Sequence, residues 1–293
     1  MKGIPLIVYA ITSLHVGMGR SSGVVDLPIQ RDPEGFPIIF SSSFKGALKQ
    51  FCGQKFNAFN KNGRIDCNKA SVCCCLLGGE EESNADVTSI ISLSDLYPLL
   101  MPIPSLDMGY VYLTSKYLIN TIKDLFNAVD YKDGISFLTS LESAERKNKV
   151  IVGIDLEVPL VNISQSNMAS VLTNLGSIAG KLKEGVAVED DDGKAVLEME
   201  RGIIKYTRNK INYETGTVAE HSLWTEEYIP HGTIFAGIIF FNVPRRNKYC
   251  GSDVCNEDCA KEKIKEFLSD EFYMNVGGKE SIGKGIIRVK LLF

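Results

Sequence analysis

The sequence predicts a mixed α+β fold, on three observations. Apolar runs of strand length stand near both ends of the chain, at residues 4–11, 234–243 and 286–293. Between them, apolar stripes recur at helical spacing, as in Phe44, Ala47, Leu48, Phe51 and Cys52. Glycine-rich loops adjoin the first and last of these strands, at Gly17 and Gly19 and across residues 277–285. A length of 293 residues fits one large domain or two smaller ones. Hydrophobic and charged contents of 44% and 23% are those of a globular protein with ample core. The net charge of −4 excludes a uniformly basic nucleic-acid binder but leaves room for a local basic stripe. No apolar run approaches the roughly 18 residues of a membrane span, and the start lacks a signal-peptide layout, so a cytoplasmic protein without a membrane partner is expected.

Taken in order, the strand at 4–11 runs into a glycine loop containing His15, Gly17, Gly19 and Arg20, then a lone carboxylate, Asp26. Glycines there permit tight turns and close approach to a ligand. A helix is expected over 44–56, with Ser41, Ser42 and Ser43 as its N-cap and Lys45 and Lys49 on one face near its positive end. Residues 57–109 read as an irregular insertion with an exposed acidic loop at 80–82. A short strand at 110–114 follows, then helices carrying Leu118, Ile122 and Phe126 and spanning 135–147, and a bent strand pair at 150–163. Met168, Val171, Leu172, Leu175 and Leu182 outline a further amphipathic helix. The acidic run 189–193 reads as a solvated turn. From Arg201 the charge reverses: Lys205, Arg208 and Lys210 interleave with Tyr206 and Tyr213 around a turn at 214–216. Such a hairpin suits a nucleic-acid strand, with phosphates giving affinity and bases stacking on the aromatics. After the strand at 234–243, Ala260, Ile264, Phe267 and Leu268 mark a last helix. Gly277, Gly278, Gly283 and Gly285 with Lys279 and Lys284 then make a loop able to cradle phosphates. It precedes a strand and lacks the Gly-Lys-Ser/Thr ending of a P-loop, which argues against nucleotide hydrolysis.

Eight cysteines are many for a cytosolic chain. Cys250, Cys255 and Cys259 with a fourth ligand would suit zinc, although the paired C-x2-C spacing of a zinc ribbon is missing. Disulfides, expected inside cells mainly in hyperthermophiles, and plain buried thiols are the alternatives.

The N-terminal glycine loop with Asp26 in a Val-Asp-Leu-Pro-Ile-Gln-Arg run, the Ser-Ser-Phe-Lys-Gly-Ala-Leu-Lys helix, the segment ending Tyr-Ile-Pro-His-Gly-Thr-Ile-Phe and the C-terminal glycine–lysine loop together resemble the RAMP proteins of CRISPR–Cas systems. The similarity is greatest to the repeated backbone subunit of type III-B (Cmr) RNA-targeting effectors, at both ends and over 205–236. It implies a modified ferredoxin-like (RRM-like) palm (1–56, 150–183 and 229–293), a fingers insertion (57–149) and a β-hairpin thumb (184–228). It further implies a homo-oligomeric filament along a guide RNA, with other effector subunits as partners, that cleaves complementary target RNA at regular intervals. The family's loop aspartate falls on Asp26, and His15 and Glu227 match positions near its site. The family's guide-backbone contacts fall on Lys45, Lys49 and the 277–285 loop; Gly17, Gly19, Arg20, Ser43 and the basic hairpin (Lys205, Arg208, Lys210) are further RNA-binding candidates in this sequence.

Cleavage by the RNA's own 2′-OH needs alignment on phosphorus and stabilised charge. Mg²⁺ or Mn²⁺ held by Asp26 and RNA oxygens would supply both. One carboxylate makes a poor cage, so metal binding is expected only with RNA present. Two alternatives remain: a guide-processing nuclease with His15 as general acid–base, and a non-catalytic RNA-binding backbone subunit.

Overall fold

The computed structural model describes residues 1–19, 25–80, 86–145, 148–152, 156–162, 172, 182–251 and 254–293. The chain opens with β1 (Gly3–Ala10), followed by α1 (Ser41–Lys55) and α2 (Ser71–Leu77). A two-residue ladder, β2 (Gly79–Glu80) and β3 (Asp86–Val87), leads to β4 (Ile91–Leu93), β5 (Tyr97–Ser105) and β6 (Gly109–Ser115). Then come α3 (Lys116–Ala128), α4 (Lys132–Ser143), β7 (Asn148–Val152), β8 (Leu156–Val161) and β9 (Val186–Glu189). Next are α5 (Asp192–Gly202), the hairpin β10 (Ile204–Ile211) and β11 (Val218–Tyr228), and β12 (Ile234–Phe241). The chain closes with α6 (Glu257–Phe267), β13 (Glu271–Asn275) and β14 (Ile286–Leu291).

The central sheet runs β13-β14-β1-β12-β5, antiparallel throughout, with β4 also on β12. With β1, β5, β12 and β14 as first to fourth strands and α1 and α6 as crossovers, the order is fourth–first–third–second, the ferredoxin-like arrangement. β1 reads as a continuous apolar run because both its faces are buried. Leu6 and Val8 enter one hydrophobic cluster with residues of α1, α2 and α6, while Ile7 enters another with α3 and α4.

β5 belongs to two layers. Residues 97–100 pair with β12, and residues 101–105 pair with β6. From there the ladder continues β6-β9-β8-β7, and β7 returns to β5 through Ser105 and Val152, closing a ring. The expected insertion at 57–149 thus supplies a strand of the central sheet, and the bent pair expected at 150–163 lies in the ring as β7 and β8. Pro98, Pro102 and Pro104 disguise β5 in the sequence. Pro98 sits where the register with β12 shifts. Pro102 and Pro104, two apart and so on one edge, lie past the stretch paired to β12, where a missing N–H costs no ladder bond.

Two other expectations change. Asp191 accepts from the Lys194 N–H and caps α5, so the acidic run starts a helix, where negative charge is favoured, instead of forming a solvated turn. The serines at 41–43 do not cap α1: Phe40 holds the cap position, and Asp95 accepts from the Ser41 N–H at 2.6 Å from across the chain. The helix expected over 168–182 lies outside the described residues apart from Leu172 and Leu182, both buried, as does most of the acidic loop at 80–82. Among the described residues, no helix is long and apolar enough to cross a membrane.

The cysteines pair as Cys52–Cys73, Cys67–Cys74, Cys75–Cys250 and Cys255–Cys259. Cys250, Cys255 and Cys259 therefore do not form a zinc set in this oxidised state, because a disulfide sulfur carries no thiolate charge.

Candidate functional site: a loop cluster at the hairpin base

Three segments meet where the β10–β11 hairpin leaves the body of the protein. The glycine loop after β1 crosses the 26–31 run, with the Met18 N–H donating to the Pro28 carbonyl and the Gln30 N–H to the Val16 carbonyl. The 26–31 run lies along β11, through the Leu27 N–H to Thr225 and the Glu227 N–H to Leu27. The 277–285 loop closes on the glycine loop, the Gly278 N–H donating to the His15 carbonyl at 2.8 Å. Gly277 is required there: its φ is +79° and a Cβ would lie 2.3 Å from the His15 oxygen.

His15 is buried, and its Nδ1 lies 2.8 Å from the Glu227 backbone carbonyl. A carbonyl only accepts, so Nδ1 carries the proton and Nε2 is the nitrogen left for acid–base work. A Cβ on Gly17 would sit 3.1 Å from Nε2, so that glycine keeps the space beside it clear. Asp26 is exposed; its Oδ2 accepts from the Thr225 N–H at 2.8 Å, and Oδ1 has no hydrogen-bond partner among the described residues.

The Glu227 side chain faces away from His15. Its Oε2 accepts from the Ile29 N–H at 3.2 Å and from Arg31 at 2.9 Å, and Lys205 lies 3.8 Å from Oε1. Arg31 also bonds Glu200 of α5 at 2.7 Å, and Glu200 bonds Lys205 at 2.8 Å. Burial pushes the Glu200 carboxyl up, but its bonds to Lys205 and Arg31 outweigh this and hold it below the ordinary range. This network pins the 26–31 run to the hairpin base.

Sequence reasoning passed over Glu226, which is fully buried on the opposite face of β11. Its carboxylate accepts from Lys279, the Tyr228 hydroxyl and Trp224 Nε1, the last at 2.7 Å, and pairs by charge with Arg208 at 2.9 Å. Burial alone would raise this carboxyl; the bonds from Lys279, Tyr228 and Trp224 overcome that and bring it down to about 2. The alternation Trp224, Glu226, Tyr228 on one strand face was the available signal. Tyr228 also packs against His15 and Tyr206, with ring centroids 5.4 and 5.6 Å apart, and Lys284 lies over Tyr206 and Tyr228. Gln30, likewise passed over, bridges Ser43 at 2.7 Å and the Gly17 carbonyl at 3.2 Å, tying the glycine loop to α1.

The cluster thus gathers His15, Gly17, Asp26, Glu227, Gly277, Gly278, Lys279, Lys284 and Gly285, with Ser43 attached through Gln30. Gly19 and Gly283 adopt left-handed backbone with nothing near a Cβ. Lys205 and Arg208 spend their charge on Glu200 and Glu226, while Lys210 is exposed further up the hairpin. Lys45 and Lys49 line a separate cavity of about 540 Å³ with Phe59 and Arg64. Burial first, and the Lys49 charge second, lower the Lys45 ammonium below its usual range; an anion between the two lysines would offset their repulsion. Arg20 lies outside the described residues.

Among the described residues, no three acidic, histidine or cysteine ligands converge around Asp26; the one such group is Cys75, Cys250 and Cys255. Asp26 therefore fits a divalent cation only as one ligand among several supplied from elsewhere.

Comparison with known proteins agrees with this topology. The chain is 31% identical to the CRISPR system Cmr endoribonuclease Cmr4 of Pyrococcus furiosus, over 99% of this chain and 96% of that protein. It is 29% identical to the CRISPR system CMR subunit Cmr4 of Saccharolobus solfataricus, over 98% and 96%. Among solved structures, a chain of the type III-B Cmr-beta complex bound to cognate target RNA superposes with a TM-score of 0.76 at 25% identity, covering 100% of this chain and 98% of that one. The model of the RAMP superfamily matches residues 7–288, and the chain belongs to that superfamily.

Proposed function

We propose that the protein is a guide-RNA-binding backbone subunit of a type III-B CRISPR effector, assembling with copies of itself and other subunits, and that it cleaves complementary target RNA at regular intervals. The relatives named Cmr4, one called an endoribonuclease, and the likeness to a Cmr-beta chain in a target-RNA complex support the assembly and RNA cleavage in general. The finer reading is that cleavage needs a divalent metal and runs through Asp26. The observation that carries it is the exposed Asp26 carboxylate, fixed by the Thr225 N–H at the foot of a hairpin that projects from the body.

On this reading the hairpin separates a guide–target base pair, and the freed nucleotide lies against the loop cluster. Lys284 and the exposed glycine amides hold the sugar–phosphate backbone without reading bases. Asp26 orients the 2′-OH toward the adjacent phosphorus; the 2′-oxygen gives its proton to solvent as the 2′-O–P bond forms, the P–O5′ bond breaks, and the 5′-oxygen takes a proton from solvent, leaving a 2′,3′-cyclic phosphate and a 5′-OH. Mg²⁺ or Mn²⁺, held by Asp26 and RNA oxygens, would neutralise charge on the phosphate. Glu227 acts as a positioning residue: its side chain anchors the 26–31 run and its carbonyl sets the His15 tautomer.

A second reading rests on a separate observation, the oriented His15 with Gly17 leaving room at Nε2. It makes His15 the general acid–base, with no metal required. The test is single-turnover cleavage of complementary RNA by assembled complexes of native, Asp26→Asn and His15→Ala protein, with and without EDTA. The Asp26 reading expects EDTA-sensitive cutting and a loss of orders of magnitude in Asp26→Asn with RNA binding intact, since the carboxylate acts on charge developing in the transition state. Wild-type rates in Asp26→Asn would end it; EDTA-resistant cutting abolished by His15→Ala would establish the second.

A further inference from the structure

We infer that Cys75, Cys250, Cys255 and Cys259 form a four-thiolate zinc site when the protein is reduced. The sulfurs of Cys75, Cys250 and Cys255 lie within 4.8 Å of one another, and Cys259, disulfide-bonded to Cys255, brings a fourth sulfur to the edge of that group. Cys75 is in α2, Cys250 closes the 3₁₀ turn Lys248–Cys250, Cys255 precedes α6 and Cys259 lies in its first turn. A tetrahedral site with Zn–S bonds of about 2.3 Å places its sulfurs about 3.8 Å apart. Both bonded pairs would open to that spacing, Cys75, Cys250 and Cys255 are already within 4.8 Å of one another, and the Cys259 thiol, freed from Cys255, would turn in as the fourth ligand.

The backbone that carries these cysteines is held by bonds that do not involve sulfur. Buried Asn247 donates to the carbonyls of Cys74, Cys75 and Thr88, tying the turn to α2. Arg245 and Cys255 exchange backbone hydrogen bonds of 3.0 and 2.8 Å. Asn256 caps α6 by accepting from the Cys259 N–H at 2.9 Å, which leaves the Cys259 thiol beside the positive end of an 11-residue helix, where a thiolate is favoured. Opening the disulfides therefore leaves a preorganised set of soft ligands of the kind that selects zinc. The sulfurs of Cys52, Cys67, Cys73 and Cys74 gather into no such group among the described residues, which makes them an internal control.

The chemistry balances without further components. A dithiol reductant, itself oxidised to a disulfide, delivers two electrons and two protons to each of Cys75–Cys250 and Cys255–Cys259. The four thiols then lose four protons to solvent as Zn²⁺ binds. Zinc in the reduced protein and two disulfides in the oxidised one tie together the same elements: α2, the turn and the start of α6.

The experiment uses the full chain, reduced anaerobically with a phosphine (each disulfide gaining two electrons while water oxygen converts the phosphine to its oxide), then loaded with Zn²⁺ or Co²⁺. One zinc per chain should survive gel filtration after reduction and none in the oxidised protein. Cobalt should give the visible bands of a tetrahedral thiolate site. Cys75→Ser and Cys259→Ser should each lose these bands while Cys67→Ser keeps them. X-ray absorption on the zinc form of the native chain, which does not depend on any variant folding, should show four sulfurs at about 2.3 Å. No retained zinc, fewer than four sulfurs around it, bands that survive Cys75→Ser, or bands that vanish in Cys67→Ser would overturn the inference.

Discussion

The test that separates the network at the hairpin base from ordinary surface electrostatics is Glu226→Gln. Glutamine keeps the size of the side chain and removes the charge that Lys279 and Arg208 face. A carboxyl held at about 2 instead of the ordinary 4.5 corresponds to roughly 3 to 4 kcal/mol, at about 1.4 kcal/mol per pH unit. Because the folded value is the depressed one, this stability is fully present above about pH 4.5 and is lost as pH falls through about 2. Other carboxylates also titrate in that window, so the informative quantity is the difference between native and variant. Urea unfolding at steps from pH 7 to pH 2.5 should show the native protein more stable by about 3 to 4 kcal/mol at neutral pH, with the gap shrinking below pH 4.5. The variant should also loosen the 277–285 loop, because Lys279 loses its buried partner. A gap that stays constant down to pH 2.5 would mean that packing rather than charge sets the cost. No gap at pH 7 would refute the network as a source of stability.

Gly277→Ala should destabilise the chain by more than about 1 kcal/mol and displace His15, since the new methyl meets the His15 carbonyl in left-handed backbone; thermal unfolding and the His15 ring resonances report both. Lys45→Glu with Lys284→Glu should weaken RNA binding alike for unrelated guides and flatten its salt dependence, measured by filter binding across salt; unchanged binding would remove both lysines from the interface. Deleting the hairpin tip at residues 212–217, which carries the 96% exposed Tyr213, should leave the fold intact by circular dichroism and abolish regular spacing of cleavage products on a sequencing gel.

What could be read from the sequence follows from how many faces of an element are buried. β1 and β12 announce themselves as apolar runs because both their faces are buried, whereas β14 alternates buried Ile287, Val289 and Leu291 with half-exposed Arg288 and Lys290. β5 is as deeply buried, yet its three prolines carry the signature of a loop, and only the two-sided pairing explains why they are tolerated. α5 was hidden for a related reason: its acidic start looks like a solvated turn until the capping bond of Asp191 is seen. At the site, glycines and a lone aspartate between apolar residues are legible because few other roles demand them. Glu226 is not, since a carboxylate on an alternating strand normally points to water, and its burial depends on partners 18 and 53 residues away. The Cys75–Cys250 pair, separated by 175 residues, is beyond any spacing argument.

Under the proposed function, the distribution of charge within the cluster narrows which cations are left for RNA. A lysine or arginine already paired with a buried carboxylate gains little from a phosphate, because binding would leave that carboxylate buried without its partner. Lys279 and Arg208 are in this position on Glu226, and Arg31 is on Glu227. Lys284, by contrast, rests on the faces of Tyr206 and Tyr228, Lys210 stands exposed on the hairpin, and Lys45 and Lys49 repel each other across one turn of α1. Two sets of basic residues that look alike in the sequence thus do different work. The paired set builds the hairpin base and orients the loops, and the second offers its charge outward. The overall charge of −4 fits this division, since affinity for a polyanion rests on a few placed cations and not on the sum over the chain.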